Sequence, residues 1–249
     1  MFSNLLQENI TLKISLPDEY KETQVSTYTS IYLLDANYFF DDAPGLLDDY
    51  LVRGPGMCNI VHQLTSEGKI PCSVLIGIGY TEEQRDQFTR TRPEQFLKFF
   101  KEELIPLVES KFSVGKSAMD RVLFGYSSSA HFSTFALMDN VYHGNQTFSK
   151  YISISGVYYE ELEAYKLEEK INQQRASSSF SGKSLYMAIG SVDDKTRLVE
   201  HHSTFINKLQ YRNYKNFNWV SEIYEGKGHY DIPEVAFAKG LTWLFSHEK

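Results

Sequence analysis

The run Arg121-Val-Leu-Phe-Gly-Tyr-Ser127 passes with no linker into Ser128-Ser-Ala-His-Phe, whose periodicity predicts a helix near 128–138. An apolar strand that turns within one residue into a helix needs small side chains at the corner, because strand and helix must pass close to one another. Gly125, Ser127, Ser128, Ser129 and Ala130 supply them. This arrangement restricts the chain to folds in which strands alternate with helices that pack back on a sheet.

The rest of the chain keeps that alternation. Ile10–Leu16 alternates apolar and polar residues, as a half-buried edge strand does. Residues 30–34 and 73–77 are short apolar runs suited to parallel strands covered on both faces. Phe96, Phe99, Phe100, Leu104, Leu107 and Val108 recur at helical spacing between Pro93 and Phe112. Strands are then predicted at 121–125, 151–155, 185–189 and 218–224. Helices follow them near 128–138, 160–173, 197–210 and 233–246. A mostly parallel sheet with helices on both faces, in one domain over residues 1–249, accounts for the whole chain.

Ligands of such sheets gather beyond the carboxyl ends of the strands. Ser127, the pair Asp193 and Asp194, and His229 each fall just beyond a predicted strand, in the order nucleophile, acid, base. Ser127 is expected as the nucleophile, the alternative being a helix N-cap. His229, in Glu225-Gly-Lys-Gly-His, is expected as general base and then acid, the alternative being a solvated loop histidine. Asp193 is expected to orient the imidazole, with Asp194 as rival, the spacing from Gly190 favouring Asp193. His62, His131, His143, His201, His202 and His247 lack such a context.

Two further G-x-S triplets, at Gly115 and Gly182, read Gly-Lys-Ser. A phosphate-binding loop needs another glycine five residues earlier, where this chain has Ser110 and Ser177. A net charge of −7 and the absence of a Lys/Arg cluster argue against nucleic acid as a partner. No segment has the apolar length of a membrane span, and the first residues lack a secretory pattern, so cytoplasmic residence is the expectation. Cys58 and Cys72 form no metal or redox spacing; neither metal nor cofactor is expected.

Taken together, Ile31-Tyr-Leu-Leu-Asp35, Val74-Leu-Ile-Gly-Ile-Gly79 with Arg85 after it, Phe99-Phe-Lys-Glu-Glu-Leu-Ile-Pro106, Arg121–Ser127 and Gly228-His229 resemble the putative esterase (esterase D-like) family of α/β-hydrolases. The resemblance runs over nearly the whole length. Two departures stand out: Ala36 replaces the glycine of "YLLDG", and Gly-Tyr-Ser-Ser-Ser-Ala replaces "GHSxGG". The family includes siderophore trilactone esterases, feruloyl esterases, S-formylglutathione hydrolases and mycolyl transferases. The resemblance therefore implies acyl transfer from a small-molecule ester or thioester through an acyl-enzyme. Backbone N–H groups of Ser128 and Asn37, with Ala36 as the alternative to Asn37, would form the oxyanion hole, and Asp35 would shape the loop bearing Asn37.

Tyr38, Tyr158 and Arg85 follow strand ends on the presumed active edge. The two tyrosines suit either an acyl pocket or the core, and Arg85 either an anionic substrate group or a surface ion pair. The 157–182 stretch is expected to pass over or beside the active site and to govern specificity. Two other readings stay open: an acyltransferase to an alcohol, and a non-catalytic binding module on the same fold.

Overall fold

A computed structural model describes residues 1–22, 28–40, 56–174, 179–193 and 197–246. The chain opens with a small hairpin of β1 (Phe2–Ser3) and β2 (Glu8–Asn9), followed by β3 (Thr11–Ser15), β4 (Thr29–Leu34) and a short helix α1 (Ala36–Phe39). Next come α2 (Met57–Ser66), β5 (Ser73–Gly79), α3 (Glu82–Asp86), α4 (Pro93–Phe99) and α5 (Ile105–Lys111). A π-helical turn, Phe100–Leu104, joins α4 to α5. The second half is a regular alternation: β6 (Arg121–Tyr126), α6 (Ser128–His143), β7 (Lys150–Ile154), α7 (Glu163–Gln173), β8 (Lys183–Gly190), α8 (Leu198–Arg212), β9 (Phe217–Tyr224) and α9 (Pro233–Ser246).

Among the described residues the main sheet has seven strands in the order β3-β5-β4-β6-β7-β8-β9. Every pair is parallel except β3 with β5. This is the α/β-hydrolase arrangement. β4, β5 and β6 are buried along their whole length, which explains why their sequences read as unbroken apolar runs.

The pleat deals successive side chains to opposite faces. Tyr32, Leu34, Leu123, Leu185 and Met187 join one core layer, with Phe96, Phe99 and Phe100 and with Phe132 and Phe135 of α6. Ile31, Leu33, Val122, Phe124, Tyr186 and Ala188 join the other, with α2 and α9. Two covered faces leave the carboxyl ends of the central strands as the natural place for a site.

The segment expected beside the active edge is described for 157–174 and 179–182. Its helix α7 buries Ala164, Leu167 and Ile171 in the layer that also holds α6. Before α7, Val157 packs with Ile189 and Leu198, next to the loop that carries Asp193. No helix among the described residues is long and apolar enough to cross a membrane.

Candidate active site

Ser127 sits at the corner between β6 and α6 with φ 57° and ψ −118°. That conformation is unfavourable for a residue with a Cβ and costs roughly 1–3 kcal/mol. The surroundings hold it there. The Ser127 N–H donates to the Ile154 carbonyl at 2.9 Å, and its own carbonyl accepts from Ala130 and His131 at 3.1 and 3.3 Å. Gly125 makes the corner possible, since a Cβ there would lie 2.0 Å from the Ser129 carbonyl oxygen.

Two loops meet beyond β8 and β9. The N–H groups of Ser191 and Val192 donate to the carbonyls of Tyr224 and Lys227, and Asp193 N–H donates to Gly190. Gly190 is required here as well, because a Cβ would fall 2.1 Å from the Lys227 carbonyl oxygen. This stitching brings Asp193 Oδ2 to 2.8 Å from His229 Nδ1. A carboxylate only accepts, so Nδ1 carries the proton and Nε2 remains as the acceptor.

His229 also rests on Tyr126, the residue immediately before Ser127. The ring centroids are 4.8 Å apart, and the Tyr126 hydroxyl donates to the His229 carbonyl at 2.9 Å. Burial, with Asp193 nearby, pushes the Tyr126 phenol far above its usual range, so it remains a neutral donor. Asp193 is fully buried and the His229 side chain is 9% exposed. Asp194 lies outside the described residues.

The other histidines are engaged elsewhere. His62 pairs with Ser15, His202 with Ser221, and His201 stacks edgewise on Tyr159. His143 pairs with Asp139 at the end of α6, and His131 is buried between Thr89 and Ala164. His247 lies outside the described residues.

Asn37 and Ser128 stand in the first turns of α1 and α6, where backbone N–H groups have no intrahelical acceptor. Asp35, before Asn37, adopts a left-handed conformation with φ 61° and is fully buried. Arg85 is turned to it rather than outward: Nε lies 2.8 Å from Asp35 Oδ1 and one terminal nitrogen 3.2 Å from Oδ2. That nitrogen also donates to the Tyr126 carbonyl at 2.9 Å.

The expectation of a surface ion pair for Arg85 is therefore corrected, since the pair is internal. Tyr158 is likewise a core residue: only 2% exposed, it stacks on Phe205 and shares hydrogen bonds with Ser153 and Thr134. Tyr38 stays partly buried against Phe39. Tyr80 and Ser129 both contact Asp35; sequence marks Ser129 only as a small corner residue within a departure from the resembled motif, and does not mark Tyr80. The serine standing where the resembled motif has glycine was the available signal.

A sequence model of one family, described as "Esterase: Putative esterase", matches residues 3–232. No curated protein matches the chain in sequence. Several solved structures share its fold. An IroE-like serine hydrolase from Shewanella oneidensis superposes with a TM-score of 0.76 at 23% identity, covering 98% of this chain and 78% of its own. The BES protein from Bacillus cereus gives 0.76 at 20%, covering 98% and 92%. The siderophore hydrolase EstA from Aspergillus nidulans gives 0.72 at 17%, covering 96% and 91%. At these identities the likeness speaks for the fold.

Proposed function

The chain belongs to the putative esterase family and is a serine ester hydrolase, and from that premise we propose that Ser127, His229 and Asp193 carry the reaction through an acyl-enzyme. The observation that supports this most is the 2.8 Å contact between His229 Nδ1 and Asp193 Oδ2, made beside the residue that precedes Ser127.

His229 Nε2 takes the Ser127 proton as Oγ attacks the ester carbonyl carbon. The resulting oxyanion accepts hydrogen bonds from the N–H groups of Ser128 and Asn37, which cost no reorganisation when the charge forms. The protonated imidazole then gives its proton to the leaving alkoxide, and the alcohol departs. Water, deprotonated by the same nitrogen, attacks the acyl carbonyl carbon; as the bond to Ser127 Oγ breaks, the imidazolium returns its proton to Oγ and the acid departs. Asp193 keeps the imidazole in the useful tautomer and stabilises the imidazolium. The substrate is a small-molecule carboxylic ester. One fold relative is a siderophore hydrolase, so siderophore esters belong in the first substrate screen.

Labelling with a fluorophosphonate, read by intact mass and peptide mapping, tests the assignment. A single adduct on Ser127 that disappears in Ser127→Ala is expected. An adduct elsewhere, or none, would overturn it in favour of a binding module.

A further inference from the structure

We propose that Ser129 and Tyr80 are positioning residues that fix the two oxyanion donors relative to each other through the buried carboxylate of Asp35. The proposal rests on the catalytic reading of Ser127 given above.

Ser129 occupies a fully buried position in the first turn of α6. A buried hydroxyl needs partners. The Ser129 hydroxyl donates to Asp35 Oδ1 at 3.0 Å and lies 2.9 Å from the Tyr80 hydroxyl. Tyr80 in turn donates to the same Oδ1 at 2.9 Å. Oδ1 thus accepts from both hydroxyls, while Arg85 donates to both carboxylate oxygens.

The placement of these groups gives the cluster its consequence. Asp35 leads directly into Ala36 and Asn37, while Ser129 directly follows Ser128. Arg85 reaches from Asp35 to the Tyr126 carbonyl, next to Ser127. One buried polar cluster thus joins both donor segments to the nucleophile's strand. It also restrains Asp35 at φ 61°, a conformation that a residue with a Cβ rarely takes without support.

Oxyanion donors act within a narrow distance range of the developing charge. Loosening the cluster therefore weakens transition-state stabilisation without weakening ground-state binding.

The test uses the full chain with Ser129→Ala, Tyr80→Phe and the double variant. Steady-state hydrolysis of p-nitrophenyl acetate and the rate of fluorophosphonate labelling at Ser127 are measured beside thermal melts. Each single variant is expected to lower kcat on the order of 10-fold, and the double on the order of 100-fold, with KM unchanged. The labelling rate should fall in step. Ser129→Thr, which restores a hydroxyl, should recover most of the loss seen in Ser129→Ala.

Tyr80→Phe keeps the ring that packs against Phe88 and Phe96, so the test survives if Ser129 variants fold poorly. Folded variants with the kcat and labelling rate of the parent protein overturn the proposal alone, as does a kcat loss matched by a rise in KM. A parent protein that does not label at Ser127 overturns the catalytic reading and this proposal with it.

Discussion

Asp193 Oδ2 lies 2.8 Å from His229 Nδ1, a contact that leaves Nε2 of His229 without a proton and, in the proposed reaction, ready to take one from Ser127. Replacing the carboxylate by an amide offers a group that can donate to Nδ1 and so favours the opposite tautomer. Asp193→Asn should lower kcat by roughly 10³- to 10⁴-fold with KM nearly unchanged. Asp194→Asn should leave kcat within about twofold, since in the proposed reaction Asp193 alone orients the imidazole. Steady-state ester hydrolysis by the two variants decides between the adjacent carboxylates. Loss with Asp194→Asn alone would reverse the assignment.

Ser127 holds φ 57° and ψ −118°, a region that glycine enters freely and that residues with a Cβ enter only under strain. Ser127→Gly removes that strain and should stabilise the fold by about 1 kcal/mol, raising Tm on the order of 3 °C. Ser127→Ala keeps the Cβ and should melt close to the parent protein. Both should be inactive. Calorimetric melts of the three proteins check the ordering, and a Ser127→Gly variant less stable than Ser127→Ala would contradict it.

The main-sheet strands and the long helices from α4 onward could be read from sequence, whereas the hairpin β1–β2 and the helix α2 were not. β4, β5 and β6 are covered on both sides and read as apolar runs, while α4 and α5 bury one stripe. The short helix α1 was not legible, since four residues hold no period and its start depends on Asp35 taking positive φ. Ser127, His229 and Asp193 stood out because each lies just past a strand. The spacing from Gly190 favours Asp193 over Asp194, but its contact with His229 depends on how the loops after β8 and β9 stitch together. Tyr158 and Arg85 were legible as neighbours of the active edge, but not the direction in which each side chain turns. Direction depends on tertiary partners far away in the chain, Phe205 for Tyr158 and Asp35 for Arg85.

Gly125 faces the backbone of α6, where a Cβ would lie 2.0 Å from the Ser129 carbonyl oxygen and 2.7 Å from the Ala130 nitrogen. Neither atom can move without shifting the helix that starts at Ser128. Gly125→Ala should destabilise the protein by about 3 kcal/mol, lowering Tm on the order of 10 °C. It should also displace Ser127 enough to cost about 100-fold in kcat. Urea titration and ester hydrolysis measure the two effects. A variant of parental stability would mean that strand and helix are less closely packed than these contacts imply.

His131 is fully buried in α6 and uses both ring nitrogens. The Thr89 carbonyl, 3.0 Å from Nδ1, can only accept, so Nδ1 carries the proton. Nε2 accepts the backbone N–H of Ala164, in the first turn of α7, at 3.3 Å. Protonating Nε2 removes that acceptor and places a charge out of reach of water. Burial accordingly lowers the His131 pKa from 6.5 to about 4, against an opposing pull from the Thr89 hydrogen bond. Between those two values the unfolded chain holds a proton that the folded chain does not, so stability rises with pH across the window. Above about pH 6.5 the contribution of the neutral ring is complete; it shrinks as pH falls and levels off below about 4. It amounts to about 3 kcal/mol over the window, or at most about 1.4 kcal/mol per pH unit. Urea unfolding at intervals from pH 7 to pH 4 should show that slope, and His131→Gln, which cannot titrate, should flatten it by about 1 kcal/mol per unit. An unchanged slope in His131→Gln would assign the acid sensitivity to other groups, His202 first among them, because burial lowers its pKa to about 4 as well.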